Sequence, residues 1–169
     1  SPLPHRRRGA PEVHGTDGLG DVGLPAPSHD VSGESAVDQI IRLSHERPGE
    51  LDLIAVGAMT NLGLALLKDP TVFTRYRTVA ILGSYSRHPR PGDPETVDAN
   101  IFNNPAAADD LFAADAPLLV VPVDTTNYSI LEDDQIERLR QATTPHGQFA
   151  WRILPYYFDF YQTRLGHWT

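Results

Sequence analysis

Three short apolar runs constrain the fold of this chain more than any other feature of its sequence. Turn-forming residues bound each run, and the three are LDLIAVG at 51–57, TVAILGS at 78–84 and PLLVVPVD at 117–124. A strand that is apolar throughout is typical of a parallel sheet, in which both faces are buried. We therefore expect these runs to form neighbouring parallel strands in the core.

Segments with helical features separate the three runs. Residues 34–50 place apolar side chains at helical spacing and stop at a Pro-Gly pair. Thr60 is expected to cap a helix that ends before Pro70. Asn104 is expected to cap another helix, with Pro105 at its first position.

The last third of the chain is also predicted to be helical. Ser129 and Glu132 have the spacing of a capping box at the head of one helix, and residues 147–165 predict a longer helix with a kink at Pro155. Alternating strands and helices indicate the α/β class, as a Rossmann-like, mostly parallel sheet with helices on both faces. We expect one partial domain over 1–169, with a loop-rich opening at 1–32 and alternating helices and strands at 33–169.

Composition excludes several kinds of function. The formal charge of −8 and the pI near 5.2 argue against a nucleic-acid or anionic-membrane partner, because phosphate binding needs clustered Lys and Arg. The sequence has no cysteine, so a metal would have to be held by oxygen or histidine, which favours a hard cation. No apolar run reaches the roughly 18 residues of a membrane span, and we expect a cytoplasmic protein.

Polar clusters follow each predicted strand, at 57–61, 83–100 and 124–127. In an open parallel sheet the ligand lies beyond the carboxyl ends of the strands, so these clusters are expected to meet at one rim. Their carboxylates, amides, hydroxyls and carbonyls suit a polyhydroxylated ligand or a calcium ion. Neither phosphate-binding glycine motif, GxGxxG or GxxxxGK[ST], follows a strand, so we expect a sugar rather than a nucleotide phosphate.

Four segments in register carry a family resemblance. They are EVHGTDGLGDVGLP, LIAVGAMTNLGLAL, DANIFNNPAAADDLF and VVPVDTT. Together they resemble the central half of the inosine-uridine nucleoside hydrolases, whose pattern runs HGxDGLG, GPLTN, EFNxxxDPEAA and a DVT-like segment. The resemblance implies hydrolysis of the N-glycosidic bond of ribonucleosides, in a site that holds calcium in the complete family, with full-length relatives that are homo-oligomeric.

Individual site residues follow from this resemblance. Asp98 and Asn100 correspond to the family residues that bind ribose hydroxyls, and the main-chain carbonyl of Thr60 to a metal ligand. His14 lies near the active-site rim in the family, although a turn histidine bonded to the backbone is an equal alternative. Most aromatic residues of 151–161 are expected to lie in the core, with one or two of them lining the nucleobase pocket. Asp17 is expected to cap a turn, and Asp124 to tie a strand end to Thr126.

The sequence also departs from the family pattern. The resemblance implies an N-terminal DTDxGxDD cluster and a C-terminal His-Asp motif that this sequence does not contain, so we expect a truncated sheet, no bound calcium and no catalytic activity from these residues alone. Asp98 stands in place of a glutamate, GSYS at 83–86 stands where the family often has two glycines, and Asp93 stands where an asparagine contact is common. Whether the chain is an enzyme, or a non-catalytic ribose- or protein-binding module of the same fold, stays open at this point.

Overall fold

The computed structural model describes residues 10–87, 98–126 and 128–165, which fall into two compact units. The sheet unit comprises residues 31–87 and 98–126, and the helical unit comprises residues 10–30 and 128–165. In chain order the elements are α1 (Pro11–His14), α2 (Ala36–Glu46), β1 (Asp52–Ala55), α3 (Thr60–Lys68), a 3-10 turn (Val72–Arg75), β2 (Thr78–Leu82), α4 (Ala99–Asn103), α5 (Pro105–Ala113), β3 (Leu118–Val121), α6 (Val123–Thr126), α7 (Asp133–Arg140) and α8 (Pro145–Leu165).

The sheet unit is a three-stranded parallel sheet in the order β1-β2-β3, with Ile54 opposite Ala80 and Ala80 opposite Leu119. Right-handed crossovers between successive strands that run in one direction place their helices on the same face. Residues of α3 and α5 accordingly share one apolar core with Val79 and Ile81, the inward residues of β2. The α/β class with a parallel sheet is therefore confirmed. Within this unit the helices cover one face, and on the other Ile54 and Leu119 are 70% and 54% exposed.

Helix caps explain where the helices of the sheet unit begin. The Asn104 side chain accepts a hydrogen bond from the N–H of Ala107, and Pro105 is the first residue of α5, which confirms the prediction for this helix. The prediction for Thr60 is wrong: α3 has Met59 at its N-cap position, and Thr60 is already helical. The Thr60 hydroxyl instead accepts a hydrogen bond from Asn104 Nδ2 at 3.0 Å, which ties α3 to the start of α5.

The helical unit is built around α8, which continues from Pro145 through Pro155 to Leu165. The predicted capping box of α7 is displaced: Glu132 is the cap residue, and it pairs with Gln135 rather than with Ser129. This places the box one turn later than the spacing of Ser129 and Glu132 indicates. In the described ranges, no helix combines the length and the apolar character that a membrane crossing needs.

Candidate functional site

Asn100 connects the carboxyl ends of two strands. Its side-chain Nδ2 donates to the main-chain carbonyl of Leu82, the last residue of β2, at 2.9 Å, and lies 3.4 Å from the carbonyl of Val56, directly after β1. The side chain is half-buried. Because the amide nitrogen is occupied by backbone, the amide oxygen is the atom left to meet a ligand, and it has no hydrogen-bond donor among the described residues.

Asp98 precedes Asn100 and forms the N-cap of α4. Its two carboxylate oxygens accept hydrogen bonds from the N–H groups of Asn100 at 3.2 Å and Ile101 at 2.8 Å. The residue is only 8% exposed. Gly83 lies against it, since a Cβ built at Gly83 would be 2.8 Å from Asp98 Oδ2. The first role that the structure gives Asp98 is therefore to fix the backbone that carries Asn100.

The third strand end is joined to the same region by Asp124. Ser86, in the loop after β2, donates its main-chain N–H to Asp124 Oδ1 at 3.0 Å and its hydroxyl to the other carboxylate oxygen. These two hydrogen bonds, the hydroxyl first, lower the pKa of Asp124 below its ordinary value. The expected bond from Asp124 to Thr126 is not made, because the Thr126 hydroxyl donates to the carbonyl of Val123. The structure therefore brings the strand ends together through Asn100 and Asp124. Asp93 and Asn127 lie outside the described residues.

His14 belongs to the helical unit, where it pairs with a tyrosine of α8. Its Nδ1 lies 2.6 Å from the hydroxyl of Tyr157, and the two rings are tilted with centroids 5.3 Å apart. The Tyr156 hydroxyl also donates to the carbonyl of Pro11 at 2.8 Å, so α8 holds the segment on which His14 lies. His14 lines a pocket of about 640 Å³ together with Ala10, Pro11, Gly15, Thr16, Asp17 and Gly18.

The turn after His14 is closed by two aspartates. Asp17 Oδ1 accepts the N–H groups of Leu19 and Asp21 at 2.7 and 3.0 Å, which confirms the prediction that Asp17 caps a turn. Asp21 in turn accepts the hydroxyl and the N–H of Thr16, and these bonds lower the pKa of Asp21. Among the described residues the hydrogen-bond partner of His14 is the Tyr157 side chain, where the alternative expected a backbone group.

Comparison with known proteins identifies the family. The whole chain, residues 1–169, matches the sequence profile of the inosine-uridine preferring nucleoside hydrolases. The chain belongs to this family. It is 34% identical over 149 residues to uridine nucleosidase 1 of Arabidopsis thaliana, a match that covers 88% of the chain and 44% of the relative. It is 29% identical over 164 residues to the inosine-uridine preferring nucleoside hydrolase of Leishmania major, covering 95% of the chain and 51% of the relative.

Solved nucleoside hydrolases have the same fold. A plant nucleoside hydrolase superposes with a TM-score of 0.84 at 29% identity, and a purine-preferring ribonucleoside hydrolase from Gardnerella vaginalis with 0.83 at 30% identity. The matches cover 95% and 94% of this chain, and 50% of each solved chain. The chain thus spans about half the length of the relatives that it matches, and its fold is that of the corresponding half of a nucleoside hydrolase.

The donor set present does not fit the calcium ion that the nucleoside hydrolase resemblance implies. Calcium takes six to eight oxygen ligands, and the described residues contain no group of three or more acidic or histidine side chains that could hold a metal. The main-chain carbonyl of Thr60, which the resemblance implies as a metal ligand, would supply one oxygen of this number. The residues that the structure describes therefore supply only part of a calcium site.

Sequence reasoning missed three features of this nucleoside hydrolase chain. The carbonyls of Val56 and Leu82 orient Asn100, but main-chain acceptors leave no residue-type signal. Tyr157 was one of several aromatic residues on α8, and only its partner His14 distinguishes it. Ser84 has a left-handed backbone, and the available signal was the segment GSYS, which stands where the family often has two glycines.

Proposed function

We propose that this chain supplies the ribose-binding part of a nucleoside hydrolase site, in an enzyme that splits ribonucleosides into ribose and free base. The observation that carries the proposal is the position of Asn100 across the ends of β1 and β2. In an open parallel sheet that position is where ligands bind. Family membership supports the reaction class, and the relatives named uridine nucleosidase and inosine-uridine preferring nucleoside hydrolase support uridine and inosine as first substrates to test.

The chemistry follows from holding the sugar by its hydroxyls. As the N-glycosidic bond breaks, the ribose becomes a flattened, oxocarbenium-like ring. A hydrogen bond from a ribose hydroxyl to the Asn100 amide oxygen accelerates the reaction if it is stronger in this flattened geometry than in the bound substrate. Asn100 suits this task because its amide plane is fixed by the backbone of the central strand before the sugar arrives.

Asp98 is proposed to contribute less to ribose binding than Asn100 does. Both of its oxygens already accept main-chain hydrogen bonds, so a ribose hydroxyl would use their remaining lone pairs. Aspartate is one methylene shorter than glutamate, and at this length the carboxylate reaches the first N–H groups of α4. We propose that Asp98 orients the ribose-binding backbone and contributes negative charge at the rim.

His14 is proposed as a second substrate contact, on the evidence of its own unit. The Tyr157 hydroxyl holds Nδ1, which leaves Nε2 of the ring for a ligand at the pocket that His14 lines. A ring whose orientation is fixed by one nitrogen presents the other in a defined direction. The aromatic ring of Tyr157, 5.3 Å from the His14 ring, supports the expectation that aromatic residues of this segment contact the base.

The proposed function is tested by following release of uracil from uridine and of hypoxanthine from inosine by the gene product that carries this sequence. Asn100→Ala is expected to lower kcat about 100-fold, as loss of a contact that strengthens in the transition state does. The Tm should fall by no more than about 2–4 °C, because roughly one hydrogen bond to the backbone is lost. Asn103→Ala, an exposed asparagine on the same helix, is the matched control and should leave both unchanged.

The outcomes separate the two candidate roles. Base release that requires Asn100 but not Asn103 supports the hydrolase. Saturable binding of ribose that depends on Asn100, without any base release, would instead support the non-catalytic ribose-binding module. If Asn100→Ala loses activity only in proportion to its loss of folded protein, the role of Asn100 is structural and the proposed contact is wrong.

A further inference from the structure

The backbone turns sharply directly after β2, at Gly83 and Ser84. Ser84 has a φ of 70°, in the left-handed region, and among the described residues Asp21 is the one other residue besides glycine with a positive φ. Aspartate tolerates this region because its short side chain can bond the local backbone, as Asp21 does. Serine at φ 70° is strained, and glycine at the same position would not be.

Hydrogen bonds on both sides of the turn fix this conformation. The N–H of Gly83 donates to the carbonyl of Val121 at 3.0 Å, and the N–H of Val123 donates to the carbonyl of Ser84 at 3.0 Å. Two residues further on, Ser86 is tied to Asp124. The main chain of Ser84 therefore continues the pairing of β2 with β3 beyond the strands and has no freedom to relax.

The turn adjoins the proposed sugar-binding residues. Leu82, two residues before Ser84, accepts the hydrogen bond from Asn100, and Gly83 lies against the carboxylate of Asp98. Ser84 is half-buried, yet its hydroxyl donates no hydrogen bond to any described residue. A half-buried hydroxyl without such an acceptor has hydrogen-bonding capacity left for a ligand.

We propose that Ser84 is a further substrate-contacting residue, whose hydroxyl binds a hydroxyl of the furanose held by Asn100. This inference rests on the proposed function. Strained backbone persists where the surrounding structure over-determines it, and it is concentrated at ligand sites. Because glycine would give the same turn without strain, what serine adds at this position is one hydroxyl group, which matches the hydroxyls of a sugar.

The experiment compares Ser84→Gly with Ser84→Ala in the gene product that carries this sequence. Both variants remove the hydroxyl, but Ser84→Gly also removes the backbone strain, whereas Ser84→Ala keeps it. Dissociation constants for D-ribose and for uridine are measured by NMR titration, and the Tm by calorimetry. We expect both variants to raise the dissociation constants about 3- to 10-fold, as the loss of one neutral hydrogen bond does.

The Tm separates a ligand contact from a structural effect. Ser84→Gly should raise the Tm by about 1–4 °C while it weakens binding, a combination that loss of folded protein cannot produce. Ser84→Ala should change the Tm by no more than about 1 °C, because alanine keeps the same backbone strain.

Three results overturn the inference. If both Ser84 variants bind as tightly as the wild type while Asn100→Ala has lost binding, the proposed function stands and the role of Ser84 is wrong. If Ser84→Ala weakens binding but Ser84→Gly does not, the backbone and not the hydroxyl is responsible. If the wild type binds neither D-ribose nor uridine, the proposed function fails and the inference fails with it.

Discussion

Gly63 offers a sharp test of how the sheet unit is packed, because two rules predict opposite results for its replacement by alanine. Gly63 lies in the middle of α3 and is buried. A Cβ built on it would be 2.6 Å from the Cβ of Ala107 on α5 and 3.1 Å from the Ala107 Cα. Helix propensity predicts that alanine stabilises α3, whereas the contact with α5 predicts that alanine destabilises the unit.

The energetic cost of the close contact between α3 and α5 is larger than the gain in helix propensity. Exchanging glycine for alanine inside a helix gains about 0.8–1.0 kcal/mol from propensity. Carbon atoms pack at roughly 3.5–4.0 Å, so the new methyl group requires α3 and α5 to move apart by about 1 Å. The new Cβ at position 63 and the Cβ of Ala107 cannot rotate away from each other, because each is bonded directly to the backbone. Overpacking of this kind costs up to about 3 kcal/mol. Gly63→Ala should therefore lower the free energy of unfolding by about 1–2 kcal/mol.

Calorimetry and urea denaturation measure this effect. At about 2–4 °C per kcal/mol for a chain of this length, the Tm should fall by roughly 2–8 °C. Adding Ala107→Gly to the variant removes the opposing methyl group and should recover most of the loss, which a double-mutant cycle reports as coupling between the two sites. Gly33→Ala is the control, since nothing lies within 4 Å of its built Cβ. A Gly63→Ala protein as stable as the wild type would refute the packing argument.

Two further predictions concern stability. Asn104→Ala removes the cap of α5 and leaves the N–H of Ala107 and the hydroxyl of Thr60 without their buried partner. Urea denaturation should show that the free energy of unfolding falls by about 2–4 kcal/mol. The exposed control Asn103→Ala should lose less than about 0.5 kcal/mol, and equal losses in the two variants would contradict the prediction. Burial raises the pKa of Asp69, but hydrogen bonds from Thr71 and the ion pair with Arg75 outweigh it and hold the pKa below 3.8. This pKa is lower in the folded protein than in the unfolded chain. The stabilisation is therefore complete above pH 3.8 and is lost as the pH falls through the pKa of Asp69 in the folded protein. The Tm advantage of the wild type over Asp69→Asn should therefore shrink below pH 3.8, and an advantage that stays constant to lower pH would show that the ion pair does not titrate as described.

The parallel sheet was predictable because its signal is contained in single segments. Each strand is apolar, short and bounded by turn residues, and parallel pairing follows from the helices between them. The cap of α5 was predictable for the same reason, since Asn104 and Pro105 are adjacent in sequence. Local patterns of this kind specify structure before any tertiary contact is known.

The errors share a different physical origin. Thr60 has the residue type of an N-cap, but it packs against α5, where Asn104 Nδ2 donates to its hydroxyl. Ser129 and Glu132 have the right spacing for a capping box, yet Gln135 forms the box with Glu132. In both cases a competing partner is available, and short-range spacing does not reveal which partner is taken.

The short side chain of Asp98 gives it a different role from Asn100, although the family resemblance predicts that both bind the sugar. Asp98 and Asn100 were predicted to bind the sugar as a pair, but the aspartate reaches the N–H groups of α4 and is nearly buried. Asn100 spans from α4 to the carbonyls at the ends of β1 and β2 and keeps its amide oxygen free of described partners. A glutamate at position 98 would be long enough to leave the cap and reach the rim, but it would also give up two hydrogen bonds that hold α4. We therefore expect sugar recognition at this rim, as proposed above, to depend more on Asn100 than on Asp98, whose carboxylate stabilises the backbone beneath it.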